Sequence, residues 1–519
     1  MVARLGLLER DRFATRRAIA DNDNPEETMM SMRDRVAMLA AAVSIGCCAP
    51  IAAAQLDSSQ TLLPALDAEA GNPANFGSAL DENAGVLTIA APGQDDALTT
   101  DAGRVHVYER DTDGWRFIDV LKAPDPDPTH LFGQDVAVSP DGTRVVVGAM
   151  WDDDVANDAG AAYVYRRDAA QWVLEAKLLP SAGKAGGWFG VSVDIEGERV
   201  VVGAREENTS VAGTGAAYVF ERIDDAWTET QRLSSESLRA QNRFGHDVKL
   251  SGDTIAVGAF NHAAPGTFES GGVFVFEHDG AQWVERQTLF GSNAGSNDFF
   301  GVSIDLEGDR LVVGARSNGG GSDGLGAVYV FERDGVWVER ERLLSPLPQS
   351  SSEFGNKLDL EGDRLLVGAW QHRVRGVPAG QAFLFERLAG RWRSAATMSP
   401  PGRAVNQQFF GHDVELADGL AVVGSFQSPL TSNRSGAAFG YDVARCRACP
   451  GDTTGDSGPG VRDGAVELAD FAFFMNLWAT HDERADVANT GACQPCVGGD
   501  GVDLTDFSCF LNAWSAGCP

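Results

Sequence analysis

At 519 residues the chain is too long for one ordinary hydrophobic core, so a repeat array or several domains is expected. A formal net charge of −32 argues against a nucleic-acid partner, whose phosphates need Lys and Arg, and favours solubility and attraction for cations. The body of the chain holds no apolar stretch long enough for a membrane-spanning helix.

Residues 1–29 are polar and charged. "MSMRDR" (30–35) then leads into "VAMLAAAVSIGCCAPIAAA" and Gln55. A basic stub, an apolar run and an Ala-x-Ala ending (Ala52, Ala54) describe a secretory signal peptide; a buried helix is the alternative. The extension before it reads as the product of a misplaced start, with Met30 or Met32 the true one. Residues 1–54 are therefore set apart, and a secreted, extracellular or bacterial cell-surface location is expected.

From residue 55 the sequence repeats. Phe-Gly pairs begin at Phe76, Phe132, Phe189, Phe244, Phe300, Phe354 and Phe410, spaced 54 to 57 residues apart. Each leads to an apolar run ending in Gly-Ala or a variant, such as "VVVGAR" and "AVVGSF". A Gly-led strand follows, such as "GAAYVFER", and six of the seven units then carry a Trp: Trp115, Trp172, Trp227, Trp283, Trp337 and Trp392. The first run alternates in polarity. The second is continuously apolar, as suits a strand buried on both faces. Tight Gly turns such as "EGER" and "SGDT" join the two. Four strands per unit, seven times, predicts an all-β, seven-bladed β-propeller over residues 55–445. The seventh unit lacks its fourth strand. "QTLLPA" (60–65) matches "KLLPSA" (177–182) and is expected to complete that blade, closing the ring and covering its edges.

The Phe-Gly and Gly-Ala phrases resemble the FG-GAP repeat of integrin α-chain propellers and their bacterial relatives, over roughly residues 60–443. In such blades calcium sits in an acidic loop between the first two strands. The equivalent turns here ("SPDG", "IEGE", "LSGD", "LEGD") are too short and too poor in acids to wrap a six- or seven-coordinate ion, so no calcium is expected in the propeller. Longer loops follow the Gly-Ala pairs. Trp151, Phe260, Trp370 and Phe426, read as one register just past those pairs, are candidates to stack on a sugar or anchor a protein; inter-blade packing is the other reading. "FGHDV" at His246 and His412, with "FGQDV" at Gln134, puts Asp135, Asp247 and Asp413 on first strands, where they converge on the central channel or join blades. No nucleophile, phosphate-binding or zinc motif accompanies them, so no catalytic residue is assigned.

Residues 446–519 form a separate module holding Cys446, Cys449, Cys493, Cys496, Cys509 and Cys518. "DGAVELADFAFFMNLW" (463–478) parallels "GDGVDLTDFSCFLNAW" (499–514), each an acidic Gly-rich loop running into a helix with aromatics on one face. This pair of loop–helix units resembles a dockerin domain. Carried over, the resemblance implies Ca2+ held by Asp452, Asp456, Asp463, Glu467 and Asp470 in the first half, and by Asp486, Asn489, Asp500, Asp503 and Asp506 in the second. Both loops carry insertions relative to the family's pattern. The cysteines read as three disulfides, or as two Cys-x-x-Cys zinc knuckles with two thiols left over. The Gly-Cys ending resembles the tails of some bacterial surface proteins, implying surface sorting or docking to a cohesin-like partner. The expected function is non-catalytic binding of a protein or glycan at the propeller's loop face, with the tail as anchor; the alternative is a polysaccharide-degrading enzyme or accessory subunit.

Overall fold

The structure, a computed structural model, describes residues 54–56, 60–62, 73–443 with short internal breaks, and the pairs 454–455 and 458–459. Seven antiparallel sheets follow one another along the chain and are numbered here as blades 1 to 7. Blade 3 shows the plan. Its strands run Phe189–Glu196, Arg199–Ala204, Ala216–Ile223 and Ala226–Leu233, from the channel outward. Val200, Val201 and Val202 in the second strand are fully buried because both of its faces meet neighbouring blades. The fourth strand alternates between exposed and half-buried, as a rim strand with one wet face should. Glu196 pairs with Arg199 across a two-residue turn whose first residue, Gly197, has φ of 61°, the conformation a tight hairpin of this kind demands.

The Phe-Gly pair is the joint between blades. Phe189 is wedged, fully buried, among Ala137, Val146 and Val164 of blade 2 and Tyr218 and Phe220 of its own blade. Its backbone bridges Gly160 of blade 2. Phe and Gly are the central residues of a turn closed by Val191 N–H donating to the Trp188 carbonyl at 3.2 Å, and Gly190 has the φ of 86° that the third position of a type II turn needs. The Gly-Ala glycine completes the joint: a Cβ on Gly148 would lie 2.0 Å from the Gly190 carbonyl oxygen. Two backbones touch there, and only glycine lets them. At the rim, the Trp283 backbone donates to Gln231 Oε1 (2.7 Å) and accepts from Gln231 Nε2 (2.8 Å), tying blade 4 to blade 3.

The same joint closes the ring, since Phe76 of blade 1 bridges Gly436 of blade 7. Gln60–Leu62 pairs antiparallel with Ala438–Gly440 and supplies the fourth strand of blade 7, as the matching "LLP" phrases predict. One strand was not foreseen. Ala54–Leu56 pairs parallel with Ala396–Met398 and adds a fifth strand to blade 6. Among the described residues no helix is long and apolar enough to cross a membrane. Except for Ala54, the predicted leader, residues 1–54, lies outside the described residues, as do the ten predicted calcium ligands and the six tail cysteines. Of the tail, only the short pairing of Thr454–Gly455 with Gly458–Pro459 is described.

Candidate ligand-binding site at the channel mouth

Strand periodicity turns seven first strands into stacked rings around the channel. The third and fifth residues after each Phe supply the acids: Asp135, Asp247 and Asp413 in one ring, and Asp81, Asp194, Asp305, Asp359 and Glu415 in the next. Lys357 and Lys249 share these rings. Each acid is engaged by the following blade. Val193 N–H donates to Asp135 (2.9 Å), Ile304 N–H to Asp247 (2.8 Å), Leu360 N–H to Asp305 (2.6 Å) and Leu416 N–H to Asp359 (2.6 Å). Leu80 N–H to Asp413 (2.8 Å) carries the clamp across the ring closure. The Asp residues of the "FGHDV" phrases are thus joints between blades, and they do not gather into a metal-holding group among the described residues.

Burial sets the protonation of these groups. It lifts Asp81 to about 7 and Asp135 and Asp194 to about 6, against the opposing pull of Lys249 or Lys357. Asp359 and Glu415 are pushed well above the usual carboxyl range by burial and by acidic neighbours. Burial works against the Lys249 ammonium, but Asp305, Asp194 and Asp81 outweigh it and hold the lysine charged.

Above these rings the channel opens into a cavity of about 390 Å3. Its wall differs in character. The second residue after each Phe contributes Gln134, His246, Asn356 and His412, and the residue after Gly-Ala contributes Arg205, Arg316, Trp370 and Phe426. Arg205 donates to His246 Nδ1 at 2.8 Å and lies over the Trp188 ring at 4.9 Å. That bond leaves the His246 proton on Nε2. His412 has the opposite tautomer, since Nδ1 faces the Ser78 carbonyl at 3.1 Å and must donate. Burial pushes both histidines down, His412 to about 4 and His246 well below its ordinary value with Arg205 and Arg316 adding to the effect, so both are neutral near pH 7. Burial, then Arg243 and Arg316, lowers Arg205 to about 10.

Of the four predicted aromatic positions, Trp370 and Phe426 line this cavity. Phe260 stands beside it, edge-on to His246 at 4.5 Å. Trp151 is not in their register. Met150 occupies the equivalent position and is buried, whereas Trp151, one residue further past Gly148-Ala149, packs against Trp188 at 6.4 Å. The sequence reading also passed over Arg205 and Arg316, although both close a "VVGAR" phrase at the position held elsewhere by aromatics. A second missed feature is the residue before each Phe. Asn75, Leu131, Trp188, Arg243, Phe299, Glu353 and Phe409 all have φ between 53° and 65°. Such a conformation costs a bulky residue about 1–3 kcal/mol, and here it directs Trp188 and Phe299 beneath the two arginines.

Comparison with known families finds FG-GAP repeats at residues 115–165, 172–220, 227–276 and 283–331. Each matched span begins on or beside the rim Trp of one blade and ends in the third strand of the next, so the repeat straddles the joint described above. No curated protein matches the chain.

Proposed function

We propose that this chain, an FG-GAP-repeat protein folded as a seven-bladed propeller, is a non-catalytic binding protein whose ligand seats in the channel mouth. The observation that carries this reading is the contrast within one channel. The acids that would serve as general acid or base are spent as inter-blade clamps, Asp135 and Asp247 among them at the cavity floor, while arginines, amides and aromatics make up the wall of the channel mouth. Concave sites of about 300–1,000 Å3 with a few polar groups among aromatics are the usual form of a ligand pocket. The ligand is a protein or a glycan at the surface of a cell or outside it. Residues 446–519 are the anchor, holding Ca2+ through the acids that the dockerin resemblance implies, Asp470 and Asp506 foremost, and meeting a cohesin-like or surface partner.

The test is capture. The full chain, screened against a glycan and surface-protein library, is expected to retain a ligand that the Trp370→Ala variant releases. Added calcium is expected to raise the thermal stability of the full chain but not of the Asp470→Ala/Asp506→Ala variant. Turnover of a polysaccharide panel that disappears on mutating His246 and His412 would overturn the binding reading in favour of the enzyme.

A further inference from the structure

The mouth carries positive charge with too few partners. Arg205 and Arg316 project from blades 3 and 5 into one cavity, on a chain whose net charge is −32. Arg205 Nε is buried and makes no hydrogen bond among the described residues; Glu206 approaches it only to 3.9 Å and is taken by Arg243. Arg316 is 3.9 Å from Glu353. That carboxylate is committed elsewhere, accepting from Trp370 Nε1 at 2.7 Å and from Gln371 Nε2 at 2.9 Å. Two guanidiniums held close together without a hydrogen-bonded carboxylate repel each other, which is the condition an incoming anion relieves. Stacking on Trp188, Phe299 and Phe260 fixes their planes, so little conformational freedom is lost when an anion binds.

The cavity is also a dead end. Below the mouth the channel retains a void of only about 20 Å3, filled by the clamped acids and Lys249. A ligand therefore enters end-on and stops at Lys357, Asp135 and Asp247. Trp370 and Phe426 offer it flat apolar walls, and His246 Nε2–H and Asn356 offer hydrogen bonds. A carboxylate, a ring with one apolar face and several hydroxyls are together the chemistry of a hexuronic acid.

We infer that the mouth binds the terminal uronate residue of an acidic glycan, its carboxylate between Arg205 and Arg316 and its ring against Trp370. The inference rests on the binding reading given above and names the ligand class. The full chain is titrated by calorimetry with oligogalacturonate, with the neutral oligogalactan of the same length, with a sulfated galactan and with an acidic peptide. Oligogalacturonate is expected to bind, more weakly as salt rises, and the neutral chain to bind at least about tenfold more weakly, from the strength of charge-assisted hydrogen bonds. Arg316→Gln is expected to cost the same factor, and Arg316→Lys less. Arg205→Gln should match Arg316→Gln; if it fails to fold, the half-exposed Arg316 pair still decides. Equal binding of the neutral chain, preference for the sulfated chain or the peptide, or indifference of uronate binding to Arg316→Gln would each overturn the inference. Capture of a neutral glycan lost in Trp370→Ala would do so too, while leaving the mouth as a binding site. No ligand lost on any mouth substitution would remove both readings.

Discussion

Asp81 accepts the Val138 N–H at 2.6 Å from a position where burial, together with Asp194 and Asp135, lifts its carboxyl to about 7 despite Lys249. A carboxyl whose value rises on folding stabilises the fold while protonated. That contribution is complete below its unfolded value of 3.8 and is lost as pH climbs through about 7. Asp81→Asn keeps an acceptor for Val138 and cannot ionise. The variant is therefore expected to gain on the wild-type protein between pH 5 and pH 8, read as the difference in thermal midpoint at each pH. A difference that stays constant over that range would refute the account. The acids were visible in the sequence as "FGHDV" and as the Asp of "VDIEGER", but not their protonation, which depends on seven strands converging. Arg205 and Arg316 were visible too, as variants at a constant repeat position, but a single basic residue there signals no ligand until the fold brings two of them to one cavity. The left-handed residue before each Phe had no local signal: Trp, Phe and Glu do not favour that conformation, and only the turn behind them imposes it.

At the scale of the element, the Phe-Gly and Gly-Ala phrases are two halves of one contact made between different repeats. Gly148→Ala would force a methyl within 2.0 Å of the Gly190 carbonyl oxygen, a clash between backbones with no flexible side chain to yield. The expected loss is about 1–3 kcal/mol or more by chemical denaturation, the range for overpacking a tight site. Blade 1 carries Ala90 at the matching position, so its joint with Gly133 is already open enough for a methyl and Ala90→Gly should gain no comparable stability. Losses of equal size at Gly148 and at a joint-free surface glycine would sink this explanation. The hairpins were legible because a two-residue turn is written in adjacent residues. The joint was legible only as a repeated phrase, since its partners stand a blade apart. The parallel strand Ala54–Leu56 was not legible: three residues carry no periodicity, and the Ala-x-Ala pattern places its first residue, Ala54, at the end of the leader.

For the whole molecule, stability depends on a ring with no free break. The third strand of blade 7, Ala437–Asp442, is covered on its outer edge by Gln60–Leu62, and Asp413 and Glu415 reach across to Leu80 and Glu82. Removing residues 1–63 exposes that edge. The truncated protein is expected to melt earlier than the full chain and to scatter light on heating, as an open strand edge recruits other chains. An unchanged midpoint with no aggregation would show that the ring closes without this strand.

That strand also puts a clock on the molecule. Gln60–Leu62 is among the first parts of the propeller to be made, and its partner Ala438–Gly440 among the last. At about 5–20 residues per second the wait between them is roughly 20–75 s. Through that interval six blades can stack in order of synthesis, but the circle stays open and the early strand has nothing to pair with. A pause or premature stop before blade 7 therefore leaves a sticky, C-shaped chain rather than a smaller working one. The time the chain must be shielded from its neighbours is set by where its two ends meet.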